Sequence, residues 1–568
     1  MLPPSLWHDG PILAAVQQAG LFADSKDFVD SPLRVSPDEA WRRWKELPQP
    51  ASDEQLSEFV ASTFGAPGEG IEPWTPTDHE ASPPLLARLP AGPARRWAAA
   101  LNDMWPALGR QLSAEVRAHP ERTTLLAVAS RGFVVPGGRF RECYYWDSHW
   151  VVLGLLAVGM RQTAAGMVAN LLDAARLCGH VPNGLRSYYL NRSQPPLLTQ
   201  MVAALLPPSA ASVGAEPAAA PLPTIGGVPL REALRVLDGE YAWWMARGEG
   251  RSAVLLPAAD GRPAALLNRY AVRAAGPRPE SWREDVALAA GLDGGGAAAL
   301  FSELASAAES GWDFSSRWLL DGAELRSIRT SAVVPVELNA ILYRNELALA
   351  ALHTRCARRG EAEAEAAAHG EAATQYAAAA AARLAAMDAW LWDEGVGAWL
   401  DLLWEERRPL PGLSAASFAP LWAGAHSERQ AAAATAALRS SGLLLPGGVA
   451  ATLVTSGQQW DFPNAWPPLQ QMLVEGLDQC GAEGAAELAA ELAARWLRSN
   501  LEGWAARGAM HEKYDATRPG CCGGGGEYTA QVGFGWTNGA ALWMLERYAD
   551  HPLVRGLAAG GEAEGGAG

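Results

Sequence analysis

The sequence predicts an all-α, strand-poor fold, and three observations predict it. Val168, Leu171, Leu172 and Ala175 recur at i, i+3, i+4 and i+7, the spacing that places them on one face of a helix. Leu488, Leu492 and Trp496 repeat a second such face one turn at a time. The Ala- and Glu-rich stretch from Glu361 to Trp392 carries high helix propensity in spite of Gly370. Strand signals are scarce beside these, and LWDEGVGAWLDL, around Gly395 and Gly397, is predicted as a short hairpin.

Of the 568 residues, 49% are hydrophobic and 19% charged, a balance that supplies a large core. Pro207 to Pro223 has linker composition, yet helical patterns and polar-aromatic motifs continue on both sides. It is therefore taken as a surface insertion in a single domain, residues 1–555, with a Gly/Ala-rich flexible tail over 556–568. The formal charge is −16 and no Lys/Arg-rich run occurs, which disfavours nucleic acid as a partner. Cys143, Cys178, Cys356, Cys480, Cys521 and Cys522 show no CxxC spacing and are expected to be free thiols. The ten histidines include no HExxH and no close pair, so neither a metal nor another cofactor is expected. MLPPSLWHDG lacks the basic and apolar segments of a signal peptide, and the longest apolar run, Val151 to Met160, is too short for a bilayer. The expectation is a cytoplasmic protein without a transmembrane segment, or a secreted one if further residues precede Met1.

Between the helical stretches lie segments that mix Gly or Pro with aromatic rings and with Arg, Asp, Glu, Asn or Gln. Sugars present apolar faces and hydroxyl rims, which flat rings and bidentate polar groups match. The 24 Trp outnumber the 11 Phe and 11 Tyr, favouring a ring that carries a hydrogen-bond donor. In ESGWDFSSRW, Asp313 stands between Trp312 and Phe314. A carboxyl held against rings loses hydration and keeps its proton, as a general acid must; the alternative is a solvent-facing Asp at a turn or helix start. In HEKYD, His511 and Lys513 flank Glu512, and on the residues alone the segment reads as an exposed charge cluster. No Gly-Lys-Ser/Thr follows Gly523 to Gly526, so that run is expected to be a flexible loop presenting Glu527 rather than a phosphate loop.

PGGRFRECYYWD (136–147) and QWDFPNAWPP (459–468) resemble the two signatures of the trehalases of glycoside hydrolase family 37. PNGLRSYYLNRSQPP, RPES, ESGWDFSSRW, HEKYD and GGGGEYTAQVGFGWTNG follow the family's order, and the likeness runs from about residue 10 to 548. The resemblance implies an (α/α)6 toroid, a double ring of helices with long active-site loops and a few short strands. It implies an inverting hydrolase of α,α-trehalose in which Asp313 is the general acid and Glu512 the general base. Arg139, Trp146, Asp147, Asn183, Arg192, Gln194, Arg278, Glu280, Gly311 and Glu527 match positions that bind substrate in the family. Trp312, Trp460, Asp461 and Trp466 are candidates for the pocket wall, or else core and capping residues. Two residues depart from the pattern: His149 stands where the first signature closes on Tyr, and Glu337 where the family has Asp. His149 is expected to titrate near neutrality. The sequon at Asn191 lies inside a substrate motif and is expected to carry no glycan. Two other readings remain open: a hydrolase of another short α-glucoside, and a weak or inactive sugar-binding or regulatory homologue.

Overall fold

The computed structural model describes residues 6–206, 222–359 and 362–558. Most of the insertion predicted at 207–223, together with residues 559–568 of the predicted tail, lies outside the described residues. The last described helix, Pro552–Ala558, crosses the predicted boundary at 555 and buries Val554.

Twelve helices alternate in sequence between an outer and an inner ring. The inner six are Asp147–Ala157, Leu198–Ala204, Val336–Ala357, Ala419–Ala423, Pro467–Gln479 and Gly535–Arg547, each touching the next and the last closing on the first. The outer six are Pro93–Leu108, Arg161–Cys178, Leu230–Trp244, Glu363–Trp390, Glu428–Ser440 and Ala485–Arg507. This is the double ring of an (α/α)6 toroid. Burial follows position in the rings, as the chemistry of the sequence requires. Asp147–Ala157 buries eight of its 11 residues and Pro467–Gln479 ten of its 13, whereas the outer Glu363–Trp390 buries five of 28. The stripes Val168/Leu171/Leu172/Ala175 and Leu488/Leu492/Trp496 are both buried on outer helices.

The tightest seam of the inner ring is a pair of glycines. A Cβ on Gly154 would lie 2.4 Å from the Cα of Gly539, and one on Gly539 would lie 2.0 Å from the Trp150 carbonyl. Only hydrogen side chains let those two helices approach backbone to backbone.

Strands are short; some pair locally and others across the chain, as Asn464–Ala465 does with Tyr514–Asp515. The predicted hairpin exists, with Trp392–Asp393 antiparallel to Ala398–Trp399, and the longest pair is Ala253–Leu256 with Ala265–Asn268. The N-terminal helices build a second apolar cluster, including Phe28, Phe59 and Phe64, against Tyr144, Tyr188 and Tyr189. A buried charge network fixes this arm to the ring: Lys26 lies 2.6 Å from Asp30 and 3.0 Å from Glu142, and Arg186 lies 2.8 Å from Glu142. No helix among the described residues is long and apolar enough to cross a membrane.

Candidate active site

The N-terminal ends of three inner helices converge on one pocket. Asp147 is the first residue of its helix, Trp466 caps Pro467–Gln479, and Phe534 caps Gly535–Arg547; all three line the pocket. The space between its walls and mouth, open solvent included, is about 660 Å³. Both Asp313 and Glu512, 199 residues apart in sequence, face into it. So do the ten positions matched to substrate binding: Arg139, Trp146, Asp147, Asn183, Arg192, Gln194, Arg278, Glu280, Gly311 and Glu527.

Asp313 reaches the pocket through the end of an extra helix, Gly294–Ser310, which lies outside the double ring. That helix stops at Gly311, whose φ of +74° is the left-handed conformation that glycine adopts without strain. A Cβ there would also stand 2.6 Å from the Trp146 ring, so Gly311 serves both the turn and the wall. Surrounding protein strips water from the Asp313 carboxyl and pushes it up to about 6, against the pull of Arg278, its own N–H and Arg192. Trp312 and Phe314 are buried, but neither lines the pocket. The tryptophans at the pocket wall are Trp146, Trp460, Trp466 and Trp536.

Glu512 is 1% exposed. Its Oε1 accepts from the Tyr528 hydroxyl at 2.8 Å and its Oε2 from the Gln531 N–H at 3.0 Å. HEKYD is therefore no exposed charge cluster, since His511 and Lys513 are as deeply buried as Glu512. Burial raises the Glu512 pKa, while Lys513, the Gln531 N–H, Tyr528 and Arg139 draw it back. The flanking residues thus do not act as a pair: Lys513 favours the anion, whereas His511 turns its ring onto Tyr514, 5.1 Å away.

The remaining polar groups are tied together in pairs. Arg139 donates to both oxygens of Asp24, at 2.7 and 2.8 Å. Arg192 donates to Asn183 at 3.0 Å and to Glu280, and Gln194 accepts from the Trp146 N–H at 3.1 Å. Arg278 lies 2.6 Å from Asp285 and 3.1 Å from Glu527. Asp147 is pushed up to about 8 by burial, with the charges of Glu512 and Asp313 adding to the effect. It enters the site as a neutral hydrogen-bond donor at neutral pH.

Four expectations change. Trp312 is not part of the pocket wall: it stacks behind Trp460, with centroids 4.9 Å apart, and faces a separate apolar void beside Trp150. Asp461 is not part of it either. Fully buried, it accepts from the Ser315 hydroxyl (3.0 Å), the Ser316 N–H (2.7 Å) and Thr452 (2.9 Å), holding the chain just after Asp313. His149 does not titrate near neutrality, because burial lowers its pKa to about 4. The run Gly523 to Gly526 is anchored rather than free: Asn464 accepts from the Gly524 N–H and donates to its carbonyl, and Gly523 pairs with Lys513. The second departure, Glu337, forms a 2.7 Å ion pair with Arg317 and lines that same apolar void rather than the pocket.

The aromatic pocket residues that sequence reasoning missed are Phe140, Tyr144, Tyr189, Tyr528, Phe534 and Trp536. The last three lie in GGGGEYTAQVGFGWTNG, whose alternation of glycine and aromatic residues was the available signal.

A double ring of helices, with paired carboxyl groups and tryptophans around a polar pocket, defines a glycoside hydrolase of the (α/α)6 type. The trehalase family model matches residues 20–549, and the chain belongs to that family. A trehalase from Homo sapiens is 40% identical over 562 residues, covering 97% of this chain and 91% of the relative. A periplasmic trehalase from Salmonella schwarzengrund is 37% identical over 547 residues, covering 94% and 85%. Among solved structures, a neutral trehalase from Saccharomyces cerevisiae superposes with a TM-score of 0.58 at 26% identity, over 75% of each chain.

Proposed function

We propose that this chain hydrolyses α,α-trehalose to two glucose molecules with inversion, Asp313 acting as general acid and Glu512 as general base. The observation that carries the reading is the convergence of these two carboxyl groups on one pocket: burial holds Asp313 toward its protonated form, and at Glu512 Lys513 and two hydrogen-bond donors oppose the rise that burial causes. Asp313, held at about 6, keeps its proton near that pH and delivers it to the bridging glycosidic oxygen. Glu512, with two donors and Lys513 favouring its anion, takes a proton from water on the opposite face of the sugar. The C–O bond breaks as water attacks, releasing one β-glucose from the attacked ring and one α-glucose as the leaving group. Arg139, Arg192, Arg278, Glu280 and Glu527 hold hydroxyls, while the Trp146, Trp460, Trp466 and Trp536 rings supply apolar surface.

NMR of freshly released sugar tests the stereochemistry: equal early α- and β-glucose is expected, and α-glucose alone would mean retention. Asp313→Asn and Glu512→Gln are each expected to lower kcat about 100-fold or more with unchanged folding. Near-normal turnover in either variant removes that residue from its role.

A further inference from the structure

The two proposed catalytic carboxyl groups are held in different ways. Glu512 is fixed by donors to both of its oxygens. Asp313 has no such support: among the described residues, no side chain hydrogen-bonds its carboxylate. A group that must hand over its proton gains from this freedom, but its aim then depends on the backbone that carries it.

That backbone is clamped by three consecutive residues, Gln459, Trp460 and Asp461. The Gln459 side-chain amide donates to the Asp313 carbonyl. The Trp460 N–H donates to the Phe314 carbonyl at 3.0 Å, and Asp461 accepts from the Ser316 N–H at 2.7 Å. Gln459 has a second tie, its Oε1 accepting from Lys513 Nζ at 2.7 Å. This fixes the amide in one orientation, because a carbonyl needs the NH₂ and an ammonium needs the oxygen. Gln459 is 2% exposed and is absent from the pocket lining, so it acts on substrate through the groups it holds: its side-chain amide ties Asp313 and Lys513, and its backbone carbonyl accepts from the Trp466 indole at 2.9 Å.

We propose that Gln459 is a positioning residue for the general acid: anchored by the lysine that follows the general base, it sets where the Asp313 carboxyl points. The inference rests on the assignment of Asp313 and Glu512 above. It predicts a selective defect. Protonation of the leaving group is needed for a sugar alkoxide but not for fluoride, which departs with the C–F electron pair unassisted. Glu512 still takes the proton of the attacking water in both reactions.

The experiment compares kcat and KM on trehalose and on α-glucosyl fluoride for wild type, Asp313→Asn, Glu512→Gln and Gln459→Glu. The last variant keeps the side chain's length and its acceptor for Lys513 but loses the donor to Asp313. Gln459→Glu is expected to lower kcat on trehalose about 10-fold or more with KM within about 2-fold, and to lower kcat on the fluoride less than about 3-fold. Gln459→Met, similar in length and without either polar atom, serves if the added carboxylate unfolds the segment; because it also unties Lys513, part of its loss falls on both substrates, and the clamp on the acid is read as the further loss, about 3-fold or more, on trehalose over the fluoride. Equal loss on both substrates would mean a merely structural role and overturn the proposal, as would wild-type turnover of trehalose. If Asp313→Asn spares fluoride but not trehalose while Gln459→Glu resembles wild type, the clamp alone falls. If Asp313→Asn leaves trehalose turnover intact, the acid assignment falls and the clamp with it.

Discussion

Arg317 and Lys513 close the two ends of one stack of three tryptophans. The Arg317 guanidinium lies 4.4 Å from the Trp312 ring centroid; Trp312 and Trp460 follow at 4.9 Å, Trp460 and Trp466 at 4.0 Å, and Lys513 Nζ sits 4.9 Å from Trp466. Trp312 precedes the proposed acid and Lys513 follows the proposed base, so the stack spans the site from behind. Cations on the outer faces are attracted by the ring quadrupoles, and stacking links the rings between them. Truncation of the central ring, Trp460→Ala, removes both ring contacts and leaves a cavity under the pocket. A loss of about 3–5 kcal/mol is expected, together with most of the trehalose activity. Denaturant unfolding monitored by tryptophan fluorescence measures the first, and a loss under about 1 kcal/mol would show that the stack carries little.

The acid and base assignments fix the signs of a pH profile. Asp313 works protonated and is held at about 6, so kcat/KM falls as pH rises through that value. Glu512 works ionised, and burial raises its pKa, so the acid limb lies above the ordinary glutamate range. Arg278 is the strongest influence pulling Asp313 down. Arg278→Met removes that positive charge, so the alkaline limb is expected to move to higher pH, alongside a higher KM. A limb that stays in place or moves down assigns it to a group other than Asp313.

The legible part of this protein was local. Helix faces such as Leu488/Leu492/Trp496 and the hairpin at Trp392–Trp399 depend on neighbours within a few positions, which the sequence displays, whereas Asp313 and Glu512 were legible through the family resemblance of their motifs. The illegible part depended on ring closure. Trp312 sits beside the acid in sequence yet turns its ring away from the pocket, because Arg317 and Trp460 take its two faces. His149 lies on a helix buried almost all round, where a histidine stays neutral. Tyr528 gained its place only because residues 511 and 532 pair, bringing its hydroxyl to Glu512.

Gly311 offers a test of how far the turn controls the acid. Alanine there must adopt a φ of +74°, at a cost of roughly 1 kcal/mol, and its methyl would stand 2.6 Å from the Trp146 ring. Either Trp146 leaves the wall or the turn shifts, and Asp313 is two residues away. Gly311→Ala is expected to lower kcat about 10-fold or more while melting within a few degrees of wild type. Unchanged kinetics would mean that the ring relaxes without disturbing the acid.

One polar link ties the N-terminal arm to the active site through Asp24. Asp24 caps the short helix Ser25–Val29 by accepting from the Lys26 N–H at 2.9 Å, and the same carboxylate takes both hydrogen bonds of Arg139. Arg139 in turn lies over the Tyr528 ring at 4.7 Å, and Tyr528 donates to Glu512. Asp24→Asn keeps the shape but sets an NH₂ against the guanidinium, so one of two charge-assisted bonds is lost and Arg139 is free to turn. Because Arg139 is assigned to substrate hydroxyls, KM for trehalose is expected to rise about 10-fold with kcat nearly unchanged, the size of one charged hydrogen bond. Steady-state kinetics decide it. A fall in kcat at constant KM would instead place the influence of Arg139 on Glu512, whose pKa its charge holds down, and would move Asp24 from substrate binding to support of the base.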